Sequence, residues 1–123
     1  MGDKATGFAS PAQGYEEEGI DLNRLLIRNP PATYFFRLES DDMAAMGFPP
    51  GSLLIVDRSK TPCLNEYVLI RHEGQFLCRQ YREENTRTAI FTNGIENFSP
   101  VPGETEIFGI VTASINVFEA AKK

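Results

Sequence analysis

Few side chains in this sequence are of a type that does covalent or acid–base chemistry. A serine nucleophile must give up its proton to attack a carbonyl, so it needs a base within hydrogen-bond reach. Ser40 lies in Glu39-Ser40-Asp41-Asp42-Met43, a run rich in carboxylates but without such a base, and reads as a turn serine. His72, the single histidine, reads as a strand-end residue rather than that base. Cys63 and Cys78 are the only cysteines, fifteen positions apart, and with one histidine they do not compose a zinc site. No disulfide framework is expected in a chain of this length, although spacing alone leaves a Cys63–Cys78 bond open. No metal and no cofactor are implied.

The elements that must position these groups are mostly strands. Asp21 is placed to cap a short helix over roughly 22–28, with Leu22, Leu25 and Leu26 on one face and Ile20 as a hydrophobic staple to it. Asn29-Pro30-Pro31 ends that helix, because proline disfavours helical geometry in the residue before it. One further turn is expected around Met43–Met46. Thr33–Glu39 and Leu53–Asp57 read as strands, the second apolar enough for burial. Glu66–His72 and Gln75–Arg82 flank Glu73-Gly74, a two-residue gap that predicts a tight hairpin. Thr86–Thr92 is a weaker strand ending at Asn93-Gly94, and Glu106–Phe118 a long last one, with Gly109 a bulge or close-approach point. Many short strands with short loops predict a compact, mostly antiparallel β domain that curls on itself, with one short helix.

Composition bounds the partners. Twelve Lys and Arg against seventeen Asp and Glu leave a formal charge of −5 on 123 residues. A general grip on nucleic acid needs a clustered cationic excess, so no direct nucleic-acid site is predicted. No apolar run approaches a membrane span and no signal-peptide core follows Met1, which points to a cytoplasmic protein with no membrane contact. Gly2 with Thr6 matches a myristoylation pattern and Asn97-Phe98-Ser99 a glycosylation sequon, both short enough to arise by chance. Leu, Ile, Val and Phe make up about a quarter of the chain, above the ~20% below which charged chains stay disordered. Residues 1–19, punctuated by glycine and carrying Glu16-Glu17-Glu18, form an extended or mobile N-terminal arm in this reading. The β domain is expected over 20–118 and a tail over 119–123.

Three stretches together carry a family resemblance: Gly7-Phe8-Ala9-Ser10-Pro11, Ile20 to Ile27 continuing through Thr33-Tyr34-Phe35, and Gly51-Ser52-Leu53-Leu54-Ile55-Val56-Asp57. They resemble the UmuD branch of the LexA-like serine peptidases. Gly74-Gln75-Phe76 and Phe108-Gly109-Ile110-Val111 fall where that family has a hairpin and its last strand. The resemblance implies the LexA/UmuD peptidase-type β fold, usually a homodimer, and a self-cleaving Ser-Lys dyad.

Both dyad positions are altered here. The resemblance places the nucleophile just before Met43, where this chain has Asp42, and the lysine on the second hairpin strand, where it has Arg79. Arginine stays protonated at ordinary pH and cannot serve as the base, and a carboxylate lacks the hydroxyl that the dyad activates. Ser40, two residues upstream, is the remaining hydroxyl, and Lys60, Lys122 and Lys123 sit elsewhere in the pattern. A catalytically inactive homologue is therefore expected, with Asp42 and Arg79 forming an ion pair in place of the dyad.

The resemblance also places a cleavage junction at Thr6-Gly7. Only six residues precede Gly7, so the chain reads as already in its processed form, naturally or through an expression remnant at Met1-Gly2. By the same resemblance the partners would be the catalytic subunit of an error-prone translesion DNA polymerase and the recombinase filament on damaged DNA. A regulatory decoy forming heterodimers with an intact homologue is the alternative, and a divergent peptidase using Ser40 the second. The arm from Gly7 to Gly19, and the last strand with Asn93–Phe98 as a dimer edge, are the candidate contact regions.

Overall fold

The computed structural model describes residues 20–85 and 87–118. The predicted arm over 1–19, its Thr6-Gly7 junction and the tail over 119–123 lie outside the described residues.

Helix α1 (Leu22–Leu26) begins where Asp21 caps it, the carboxylate accepting from the Asn23 and Arg24 amides at 3.1 and 3.3 Å. It stops two residues earlier than expected. Ile27 is already extended, and a 3-10 turn over Pro30–Ala32 takes over, closed by the Ala32 amide donating to the Asn29 carbonyl. The expected staple and apolar face are also corrected. Ile20, Leu22 and Leu25 stay about half exposed or more, with no element among the described residues lying over them.

Seven strands follow: β1 (Thr33–Arg37), β2 (Leu53–Asp57), β3 (Tyr67–His72), β4 (Gln75–Glu83), β5 (Ala89–Thr92), β6 (Asn97–Phe98) and β7 (Thr105–Ile115). They pair antiparallel in one sheet of order β1-β2-β7-β3-β4-β5-β6. The mostly antiparallel β fold, with one short α-helix among the described residues, is the one expected of the LexA/UmuD type. Glu73 and Gly74 both have positive φ, 51° and 81°, as a two-residue hairpin whose twist matches its strands requires. β6 was not anticipated as a strand. β7 ends at Ile115 rather than Phe118, and beyond it the Asn116 side chain accepts from the Ser52 hydroxyl at 2.8 Å.

β7 slips register against β2 and against β3, opposite Ile55/Val56 and Leu69/Ile70. Between the two slips, Gly109 lets β2 pass close by. A methyl group there would stand 2.7 Å from Val56 Cγ1 and 3.0 Å from the Asp57 carbonyl oxygen. One core cluster packs Leu54, Val56, Leu69 and Cys78 beneath Met43 and Phe48, which the segment between β1 and β2 folds over them. A second gathers Val68, Ile70, Phe91 and Ile110. The run Leu54–Asp57 is buried without alternation because β2 is covered on both faces.

Candidate functional site

Met43 fixes the turn that carries Asp42. Its side chain is fully buried, and its carbonyl accepts from the amides of Met46 and Phe48. Gly47, at φ 94°, then sends the chain back so that Phe48 stacks edge-on against Tyr67 at 4.8 Å. The Ala44 amide donates to the Asp41 carbonyl, and the Asp42 amide points at Ser40 Oγ at 3.4 Å. Ser40 is thus a turn serine that accepts from the backbone beside it, as the sequence suggested.

Arg79 stands on β4 between Leu77 and Tyr81, opposite Val68 of β3. Its Nη1 donates to the Cys78 carbonyl at 2.8 Å, and its Nη2 lies 3.7 Å from Asp42 Oδ2. The expected ion pair is therefore present, as a charge contact rather than a two-bonded fork. It is asymmetric: the Arg79 side chain is 10% exposed and that of Asp42 43%. Solvent reaches the carboxylate and bears most of its charge, while the arginine rests on its carbonyl partner and its buried stem.

Beside the pair runs a cleft of about 320 Å³, lined by Phe36, Leu38, Ser40, Asp42, Leu69 and Cys78 among others. No lysine lines it. Lys60 borders a different cavity of about 420 Å³, with Leu26, Arg28, Asp57 and the β7 residues Ile110–Ala113. His72 does not line the cleft either; it is held at the end of β3 by a short hydrogen bond to the Thr105 hydroxyl and by stacking on Phe98. The lining holds the Ser40 hydroxyl and the carboxylates of Glu39 and Asp42, and the protonated guanidinium of Arg79 cannot take a proton from Ser40. Cys63 is exposed, Cys78 is buried, and both are free. Burial pushes the Cys78 thiol up to about 12, the neighbouring Arg79 charge opposing it only in part, so this thiol is inert at neutral pH.

The peptidase S24-like family model matches residues 1–111. The chain belongs to this family. Protein SamA of Salmonella typhimurium (strain LT2) is 37% identical over 110 residues, which covers 89% of this chain and 78% of SamA. Protein ImpA of Shigella flexneri is 34% identical over 112 residues, covering 89% of this chain and 77% of its own. Protein MucA of Escherichia coli is 31% identical over 114 residues, covering 90% and 78%. Within the family the chain is UmuD-like.

Two features here escaped the sequence. Beyond Ile110, β7 has a strand neighbour on one side only among the described residues, since β3 pairs with Thr105–Ile110 and β2 with Ile110–Ile115. The open flank at Val111–Ala113 faces the 420 Å³ cavity. A half-paired strand leaves no mark on its own sequence, because the missing neighbour is defined by where β3 begins. The other feature is an array of four aromatic rings centred on Phe108, whose members come from β1, β4 and β7. Among the described residues no group of three His, Cys, Asp or Glu is placed to hold a metal, and no helix is long and apolar enough to cross a membrane.

Proposed function

We propose that this protein is a non-catalytic, UmuD-like accessory subunit of an error-prone translesion DNA polymerase in the bacterial DNA-damage (SOS) response. It works in the cytoplasm as a homodimeric scaffold that contacts the polymerase catalytic subunit and the recombinase filament. The observation that carries this reading is the Arg79–Asp42 pair at 3.7 Å, standing where the resemblance puts the Ser-Lys dyad. A guanidinium cannot be the base and a carboxylate cannot be the activated hydroxyl, so binding remains as the activity. The charge of −5 suits recruitment through proteins rather than direct contact with DNA.

The open flank of β7 supports the dimer, because an unpaired strand edge is completed by an identical edge running antiparallel across a two-fold axis. The same flank would let the chain form mixed dimers with an intact homologue, the regulatory alternative.

Incubation with the recombinase filament, ATP and single-stranded DNA is expected to leave the chain uncut; a cut within the first nineteen residues overturns the inactive assignment. The double variant Asp42→Ser with Arg79→Lys is expected to regain cleavage of a supplied substrate arm. Affinity capture from the host is expected to bring a translesion polymerase subunit. Recovery of an intact homologue alone decides for the regulatory alternative.

A further inference from the structure

Among the described residues, the face that Met43 and Phe48 cover at one end of the sheet has no such cover at the other, where Phe108 lies among three rings. Its centroid is 5.4 Å from Tyr34, 5.4 Å from Phe36 and 5.3 Å from Phe76, each meeting edge to face. Tyr34 and Phe76 are each more than two-fifths exposed, so the array is a surface and not a core. Two arginines lie on it. Arg58 Cζ stands 4.1 Å above the Phe108 ring while its Nε donates to the Phe108 carbonyl at 3.0 Å. Arg71 lies over Phe76 at 5.4 Å and pairs with Glu106 at 3.5 Å.

Arg58 differs from Arg71 in having no carboxylate among the described residues within ion-pair distance. Its guanidinium is held flat by a ring below and a carbonyl at Nε, which leaves the two terminal nitrogens as an oriented fork. That geometry matches a carboxylate with two parallel hydrogen bonds, with little side-chain entropy left to lose on binding. Exposed aromatic rings beside it suit an apolar side chain next to that carboxylate.

From this charge complementarity we infer that the Tyr34–Phe76–Phe108 face, with Arg58 as its anchor, docks an acidic segment of a partner protein that carries an aromatic residue beside a glutamate or aspartate. A nucleic-acid strand fits less well. It needs a row of cations, whereas Arg71 is already neutralised by Glu106 and the chain as a whole is acidic. Phe36 and Phe76 of this face also line the Asp42 cleft, but Arg58, its anchor, does not.

Fluorescence anisotropy of the full chain with a labelled peptide Gly-Ser-Glu-Glu-Phe-Glu-Glu-Ser-Gly tests it. Saturable binding is expected, weakened about ten-fold by Arg58→Ala, which removes one charge-assisted fork. Arg58→Lys is expected to keep the charge but not the affinity, and Tyr34→Ala to weaken binding without touching any charge. Unchanged thermal melting of the variants excludes misfolding; should Arg58→Ala fail to fold, Arg58→Lys and Tyr34→Ala carry the test. A peptide with glutamine for glutamate that binds equally well overturns the proposal, as does an oligo(dT) strand that binds in its place. Peptide binding seen only after Glu16, Glu17 and Glu18 are changed to glutamine would assign the face to the chain's own segment. A sedimentation shift on Arg58→Ala would assign it to a second copy, and absence of binding in every variant refutes it outright.

Discussion

Two arginines, Arg79 and Arg58, each sit beside an aromatic-lined surface of the same sheet and each donate to a main-chain carbonyl, yet their surroundings differ. Arg79 is buried to the guanidinium and has a carboxylate at 3.7 Å. Arg58 is exposed, lies on a ring, and has no carboxylate within ion-pair distance among the described residues. The first is a closed arrangement in which charge, donor and stem all have partners inside the chain. The second is closed on one side only. Residue type alone does not separate a structural arginine from a presenting one; the partner inventory does.

The largest test of this contrast is Arg79→Ala. It removes a buried stem and the donor to the Cys78 carbonyl, and is expected to cost about 2–3 kcal/mol in urea unfolding. A loss below about 0.5 kcal/mol, the size expected of an ordinary surface substitution, would erase the distinction.

Cys78 extends the test to pH. Its folded pKa is raised from 9.0 to about 12, so the folded state holds a proton that the unfolded state has released. Its contribution is complete below about pH 9 and fades as pH rises toward 12. Unfolding midpoints of wild type are expected to fall more steeply over that window than those of Cys78→Ala. In the same vein, iodoacetamide should label Cys63 in the native protein and both thiols only after unfolding, which mass spectrometry would read directly.

Asp42→Asn should cost less than about 1 kcal/mol, because a carboxylate 43% exposed keeps most of its hydration and its attraction to Arg79 is screened. A cost as large as that of Arg79→Ala would mean that the pair, and not the buried stem, holds the site together. On the acid side Asp57 gives a smaller effect. The Ser59 hydroxyl, then the Ser59 amide, hold its carboxyl below 3.8, so its contribution is present above that pH and is lost as pH falls through the folded value. Ser59→Ala should lessen the stability lost as pH falls below 3.8. Arg58→Ala comes last, with a few tenths of a kcal/mol in unfolding, as expected of an exposed side chain that contacts one ring. An effect above 1 kcal/mol would make Arg58 structural and remove the contrast.

What the sequence made legible was local. Asp21 before Leu22, the Glu73-Gly74 gap and the apolar run Leu53–Asp57 each state a backbone preference that nothing in the tertiary structure opposes. Gly109 was legible as a close approach, although not which strand would approach it. The pairing of Asp42 with Arg79 came from the family resemblance, since thirty-seven positions separate the two and no spacing rule joins them. What stayed hidden depends on neighbours distant in the chain. The aromatic array needs β1, β4 and β7 side by side, β6 is two residues long, and the exposure of α1 depends on which elements pack over it.

The position of β7 bears on how the chain acquires this structure. β1 and β2 make one ribbon and β3 to β6 a meander, and in the strand order the two meet only through β7, the last of the described strands in chain order. Pairings such as Leu54 with Ser114 close a loop of sixty residues, an entropic cost met only once both earlier parts exist. The two halves share no strand pairing until insertion of this segment between them joins the sheet. A chain cut before Thr105 would leave two unconnected pieces rather than a slightly smaller domain, and the rate of that insertion would set how long the edges stay open to aggregation.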